Sequence, residues 1–243
     1  MNPKISIVVP FVKHDFLLGF FNSLPAALNR ETAEVIAIDN TWVNGDRAPR
    51  KLPDAHVQLL HLYAEPALPL HAAWNMGMRT ARGDYICVAN DDIVWREKAL
   101  VNMVEALDIN KLRCVYPTHT SGLNILPPPP ASQNPHGPVN LIGPPEFRGF
   151  CFMLTRECFE RSVCDFDEQF ELFYGDDDYA RRLIAVGSPA RQVGNAVIHH
   201  FESQSVSKLP VGVMGGCRQR DYDRFVAKYG LSTWQEYVAK RGF

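Results

Sequence analysis

Three short clusters in this sequence hold side chains whose types and spacing can do chemistry. Asn90-Asp91-Asp92 sets two carboxylates and an amide directly after the apolar run Tyr85-Ile-Cys-Val-Ala89. Hard oxygen donors of this kind suit Mg²⁺ or Mn²⁺, which take one or two protein carboxylates and complete their shells with phosphate and water. The same residues also read as a capped helix start, because Asp92 lies just ahead of a helical pattern from Trp95 to Leu107. Tyr174-Gly175-Asp176-Asp177-Asp178 crowds three carboxylates at a helix start, where they repel one another unless the helix dipole, a metal or a cationic ligand compensates. Capping accounts for one or two of them, and a remaining carboxylate can act as general base toward an incoming hydroxyl. His199-His200 closes a third apolar run, where a neutral imidazole can complete a metal shell or serve the core. The Ser- and Gly-rich stretch from Ser203 to Gly216 has the composition of a lid over a phosphate, or of a plain surface loop.

The elements that must position these clusters follow from periodicity. Ile5-Ser-Ile-Val-Val9, closed by Pro10, Val35-Ile-Ala-Ile38, Val57 to Leu62, Tyr85 to Ala89, Phe150 to Leu154 and Ala196 to Ile198 read as short buried strands. Apolar residues at helical spacing mark helices from Phe16 to Leu28, over about 70–81, from Trp95 to Leu107, near Arg156 to Arg161 and from about Asp176 to Val186. One or two amphipathic helices follow Gly216. Strands alternating with helices through the first 115 residues predict βαβ units and a mostly parallel sheet, whose ligands gather beyond the carboxyl ends of the strands. Asp39-Asn40 and Asn90-Asp91-Asp92 sit at such ends, and His199-His200 closes another strand. Half of the eighteen prolines fall between Pro117 and Pro145, so that segment reads as an extended loop.

Composition sets the outer bounds. With 243 residues, 46% of them hydrophobic, the chain can bury a sizeable core, which excludes disorder and a mini-protein scaffold. No stretch approaches the ~20 apolar residues of a membrane span, and the N-terminal apolar run is too short for a signal peptide, so a cytoplasmic protein is expected. Six cysteines without C-x-x-C or zinc-type spacing predict reduced, mostly buried thiols. The 25 basic residues against 27 acidic ones give no global field for nucleic acid.

Taken in order, the pieces resemble a family 2 glycosyltransferase of the GT-A fold over nearly the whole chain from Ile5 to about Ser205. Ser6-Ile-Val-Val-Pro10-Phe11 is similar to the family's first strand, and Val35-Ile-Ala-Ile-Asp39-Asn40 to its nucleotide-contacting Asp after strand two. Ala73-Trp-Asn75-Met-Gly77 with Ala81-Arg-Gly83-Asp84-Tyr85-Ile86 resembles its next helix and strand, and Asn90-Asp91-Asp92 fills the D-x-D slot. Arg148-Gly149-Phe150 through Arg156, with Phe166-Asp167-Glu168, resembles the acceptor-side segment. Gly175-Asp176-Asp177-Asp178-Tyr-Ala-Arg-Arg182, followed by Gly187, resembles the E-D-x-D-x-x-x-R-x-x-x-x-G region. His200-Phe-Glu202-Ser203-Gln-Ser205 is similar to the late His-x-Glu-Ser-x-Ser segment. Three positions depart: Asn90 replaces the first Asp of D-x-D, Gly175 stands where the family usually has Glu, and Trp74 where many members carry a basic residue.

The resemblance implies an α/β GT-A architecture: a Rossmann-like, mixed but mostly parallel sheet flanked by helices, with a C-terminal helical tail. It divides the chain into a domain over 1–215, made of a nucleotide-sugar half (1–115), the Pro-rich loop (116–146) and an acceptor half (147–215), and an extension over 216–243. It implies a nucleotide-sugar donor, UDP-linked in the first instance, contacted by Pro10, Phe11, Asp39, Asn75, Asn90 and Asp91. Mn²⁺ or Mg²⁺ would be held by Asp92 with His200 and Asn90. The Asp176-Asp177-Asp178 cluster would supply the base for an inverting transfer to an acceptor hydroxyl. Asp176 takes that role if Asp178, Arg182 and Gly187 are in phase, and Asp177 is the alternative. The acceptor is expected to be a saccharide or another hydroxyl compound, with nucleic acid not favoured. A nucleotidyltransferase would want a Gly-rich, Lys/Arg-bearing loop after the first strand, where Pro10-Phe-Val-Lys-His14 stands instead. A non-catalytic nucleotide-sugar binder would keep Asp39 and the fold but lose the base.

Overall fold

The structure, a computed structural model, describes residues 4–12, 14–40, 52, 56–122, 141–142, 147, 149–163, 165–201 and 211–230. Nine strands form one sheet in the order β3-β2-β1-β4-β8-β6-β9-β5, with β7 also on β9. They are β1 (Ile5–Phe11), β2 (Ala33–Asp39), β3 (Gln58–Tyr63), β4 (Tyr85–Ala89), β5 (Ile93–Trp95), β6 (Cys114–Ser121), β7 (Leu141–Ile142), β8 (Cys151–Thr155) and β9 (Arg191–His200). β1, β2, β3 and β4 are mutually parallel, β8 runs against both β4 and β6, and β6 and β9 are again parallel. The sheet is therefore mixed and mostly parallel, and the carboxyl ends of β1, β2, β4 and β9 share one rim with the amino end of β8.

Period-two alternation divides the core. Ile7, Val9, Val35, Ala37, Cys87 and Met153 face α1 (His14–Asn22) and α3 (Ala99–Asn110), while Val8, Ile36, Ile38, Ile86, Val88 and Phe152 face α2 (Leu70–Thr80), α4 (Arg156–Arg161) and α5 (Gly175–Ala185). A smaller cluster, Phe170 with Phe225, joins α6 (Val211–Tyr229) to the loop ahead of α5. No described helix is long and apolar enough to cross a membrane. The five described cysteines are free and buried; Cys164 lies outside the described residues.

Several elements differ from the sequence reading. β1 does not stop at Pro10 but pairs through to Phe11↔Asp39. The ladder to β4 ends at Val8↔Val88, so the N–H that Pro10 lacks falls on the side where no partner strand remains. α1 ends at Asn22, because the residue before Pro25 is pushed out of helical geometry; Leu24 and Leu28 are buried from turns instead. The expected helix at Trp95 is preceded by a strand, and α3 begins only at Ala99. The β-branched pair Ile93-Val94 and Trp95 instead form a ladder with β9, Ile93↔His200 to Trp95↔Ile198. Part of the expected Pro-rich loop is strand, since β6 runs through Pro117 to Ser121 and Leu141–Ile142 pairs with β9; 123–140 lie outside the described residues. β9 is ten residues long, and α6 begins at Val211 rather than after Gly216. Of the expected lid, 203–210 fall outside the described residues and the remainder is helix; the second tail helix around Trp234 is outside them too.

One buried side chain fastens α6 to the rest. The carboxylate of Asp221, wholly buried, accepts the backbone N–H groups of Glu171, Leu172 and Phe173 at 2.9–3.2 Å and pairs with Arg224 at 2.9 Å. Arg220 and Arg224 hold Glu171 from outside, at 2.7 and 3.0 Å, and Arg220 draws the Glu171 carboxyl down to about 2. Asp221→Ala leaves three donors unpaired and is expected to cost about 3 kcal/mol in denaturant unfolding. Amide exchange at Glu171, Leu172 and Phe173 should accelerate with it.

Candidate functional site

A cleft of about 940 Å³ opens along the shared rim. Its walls include Pro10 and Phe11 from β1, Asn90, Asp91 and Asp92 after β4, Gly149 and Phe150 before β8, His71 and Trp74 from α2, Leu172 to Tyr174, Asp176 and Asp177 at the head of α5, His200 from β9 and Arg218 from α6. Residues from three sequence clusters, the first and last of them more than 100 positions apart, therefore meet in one cavity.

The β5–β9 ladder builds the first half. With Ile93 opposite His200, Asp92 comes beside the imidazole, and its Oδ1 lies 3.2 Å from Nε2 of His200. The contact lacks hydrogen-bond geometry, so among the described residues Asp92 Oδ1 and both ring nitrogens of His200 are buried without a hydrogen-bond partner, as is Oδ1 of Asn90. Asp92 is 5% exposed and His200 8%. The His200 ring stacks on Phe150 at 4.2 Å, which fixes its plane. Strand alternation settles which histidine faces the cleft. His199 points the other way and spends both nitrogens, on Thr120 Oγ1 at 2.8 Å and the Gly122 carbonyl at 3.2 Å. Because a strand and not a helix follows Asp92, the capping role allowed by the sequence has no helix to serve. Asp91 is tied to the end of β1 by a long contact from the Val12 N–H, 3.4 Å.

The donor set of Asp92, His200 and Asn90 suits a divalent ion: hard oxygens, one neutral imidazole, and buried polar atoms with nothing else to bind. Among the described residues no group of three or more His, Cys, Asp or Glu side chains that could hold a metal ion is found.

The head of α5 builds the second half, and it sorts the three aspartates. Asp178 is wholly buried and committed to structure, with Arg182 at 2.8 Å, Lys228 at 2.6 Å and the Tyr229 hydroxyl donating at 2.6 Å. Its place in the sequence-predicted catalytic cluster is thus corrected to that of an anchor between α5 and α6. Asp176 and Asp177 line the cleft. Asp176 Oδ1 accepts the Asp177 N–H at 3.0 Å, and the side chain packs directly over Gly149, where an added Cβ would lie 2.5 Å from Asp176 Cβ. Gly149 and Phe150 are consecutive, so one dipeptide seats Asp176 with its first residue and His200 with its second.

Two sequence-predicted donor contacts lie off the cleft. Asn75 is fully buried and uses its amide on the 166–168 segment, accepting from Phe166 N–H at 2.7 Å and donating to the Phe166 carbonyl and Glu168 at 2.9 Å. All its polar capacity toward a donor is spent. Asp39 sits one strand over from Phe11, with His61 Nε2 at 3.4 Å and the rings of Phe11, His61 and Tyr63 forming a shelf beside it.

The family described as Glycosyl transferase family 2 matches residues 6–162, well over half the chain. The chain belongs to that family. A search of curated proteins finds no match. Among solved structures, the mannosyltransferase PcManGT from Pyrobaculum calidifontis, in complex with GDP-Man and Mn²⁺, superposes with a TM-score of 0.60 at 16% identity, over 90% of this chain and 61% of that one. S. aureus TarS (1-349) superposes with a TM-score of 0.57 at 10% identity, over 98% of this chain and 77% of that one. The chain thus shares their fold and spans less than two thirds of the mannosyltransferase's length.

Sequence reasoning missed His71 and Arg218 in the wall. His71 had one signal, its position one helical turn ahead of Asn75 on the buried face of α2. Arg218 had none, because the docking of α6 is a tertiary event. The Gly149 contact generates a test. Gly149→Ala must displace Asp176 at its Cβ, so turnover in a sugar-transfer assay should fall about a hundredfold and the overpacked contact should cost about 1–3 kcal/mol of stability.

Proposed function

We propose that the chain transfers a sugar from a nucleoside-diphosphate sugar to an acceptor hydroxyl with inversion, in a divalent-metal-dependent reaction based on Asp176. The observation that carries this reading is the cleft in which Asp92 and His200, in contact but without hydrogen bonds among the described residues, meet the Gly149-seated Asp176. Phe11 and Pro10 shape the nucleotide pocket, and Asp39, which lies off the cleft but next to Phe11 and His61, accepts from an N–H of a base that extends past the cleft's edge onto that shelf. A carboxylate acceptor suits uracil, which offers one such donor, and also guanine, which offers more. UDP is retained as the first carrier to test and GDP as the second, since the mannosyltransferase relative is described with GDP-Man.

Asp92, His200 and Asn90 would hold Mn²⁺ or Mg²⁺, which when bound neutralises charge growing on the departing diphosphate. Asp91 orients the ribose or sugar. Asp176 takes the proton from the acceptor hydroxyl as its oxygen bonds to the anomeric carbon from the face opposite the leaving group. The bond from that carbon to the phosphate oxygen breaks, and the nucleoside diphosphate leaves with the electron pair. Asp178 and Asn75 position this machinery and do not touch substrate.

A panel of UDP-, GDP- and other nucleotide sugars with Mn²⁺ or Mg²⁺ tests the reading through thermal shift and slow release of nucleoside diphosphate to water. One donor should stabilise the protein only with metal, and Asp92→Ala should abolish both signals. Asp176→Asn should lower turnover about a thousandfold and leave donor binding, while Asp177→Asn keeps most activity. The reverse ranking of the two would move the base to Asp177, and metal-independent turnover would contradict the proposed ion.

A further inference from the structure

Two ring nitrogens in the cleft wall have no partner, and they lie together where this chain departs from its family's pattern. His71 is 2% exposed, and its Nδ1 is 2.8 Å from the carbonyl oxygen of Phe170. A carbonyl only accepts, so Nδ1 carries the hydrogen and Nε2 of the neutral ring is a bare acceptor. Burial pushes the imidazole pKa down, against the opposing pull of the Phe170 carbonyl and of Asp176, Asp221 and Asp178. That keeps the ring neutral near pH 7. Among the described residues Nε2 has no hydrogen bond. Beside it, Trp74 is 3% exposed with its indole N–H buried and unpartnered. The two rings meet edge to face at 5.4 Å, and both line the cleft.

The place of this pair at the head of α5 is not accidental. A Cβ on Gly175 would lie 2.3 Å from His71 Nε2, so the imidazole fills the space that any side chain at position 175 would need. At the head of α5 this chain has a glycine and, from α2, a histidine in the space over it, so a neutral acceptor lies next to Asp176.

We propose that His71 Nε2 and Trp74 Nε1–H form a binding subsite for a hydroxyl of a sugar acceptor, the hydroxyl donating to the imidazole and accepting from the indole. One hydroxyl satisfies both unpartnered atoms, which a carboxylate or phosphate, having no hydrogen to give, does not. The acceptor is therefore an uncharged, polyhydroxylated ring at this point, and the aromatic neighbours His71, Trp74 and Phe173 offer faces for its C–H groups. The proposal rests on the transfer reading above.

The test is NMR of the ¹⁵N-labelled protein saturated with Mg²⁺ and UDP or GDP, titrated with methyl glycosides of common hexoses and N-acetylhexosamines. At least one glycoside should shift both the Trp74 indole N–H and the His71 Nε2 resonances. His71→Phe, which keeps a ring beside Gly175 but removes the acceptor, should weaken that glycoside about tenfold or more, with nucleotide affinity changing by less than about threefold. If that variant does not fold, Trp74→Phe carries the same comparison. Glycosides that leave both resonances unmoved, or that bind His71→Phe and Trp74→Phe as well as the parent, overturn the subsite. Failure of the unmodified protein to bind any nucleotide strikes the transfer reading itself, and it shows before a glycoside is added.

Discussion

A buried carboxylate and a buried imidazole 3.2 Å apart without a hydrogen bond between them are costly, and the architecture is arranged to hold them there. Three residues of β5 do this by pairing backward onto β9, which brings the end of β4 and the end of β9 to one point. Phe150 stacks on the imidazole and prevents it from turning to find another partner. A polar pair this constrained gains its missing interactions from something that enters the cleft, and a cation between oxygen and nitrogen donors meets that need.

The opposite strategy governs the acidic residues on the acceptor side. Asp178 and Asp221 are wholly buried, and each is surrounded by donors: Arg182, Lys228 and Tyr229 for one, three backbone N–H groups and Arg224 for the other. These two carboxylates convert the C-terminal helix into a brace for the 171–174 wall and the head of α5. Asp176 and Asp177 are left facing the cleft. What separates the cleft-facing aspartates from the brace in the run of three is therefore direction around the helix, since residues one position apart on an α-helix differ by about 100° in facing.

Much of this was legible in the sequence. The parallel βαβ start followed from β-branched runs alternating with helical periodicity, and the rule that ligands gather at carboxyl strand ends singled out Asn90-Asp91-Asp92; Phe11 and His200 joined them only through the family resemblance. The sequence did not show the backward pairing of β5. Its three residues were absorbed into the following helical pattern, and that left a capping role open for Asp92. The Ala81-Arg82-Gly83 segment was quoted only as part of a family match; the structure shows it closing the far end of the sheet, where Arg82 and the Ser6 hydroxyl hold the buried Glu34. Asn75 misled for a related reason: a motif residue beside a site can serve by fixing the backbone that frames it. His71 was not visible because its role depends on the emptiness of Gly175, a tertiary complement between residues about 100 positions apart.

The account stands on the claim that Asp92 and His200 share an ion that the donor diphosphate completes, within reach of Asp176. Anomalous scattering at the manganese edge, from crystals grown with Mn²⁺ and a binding nucleoside diphosphate, addresses it directly. The account predicts one strong peak between Asp92 and His200, with diphosphate oxygens in the remaining positions and the Asp176 carboxylate facing the side where the sugar would extend. A manganese peak elsewhere, or a nucleotide bound with Asp92 and His200 still in contact only with each other, would contradict it.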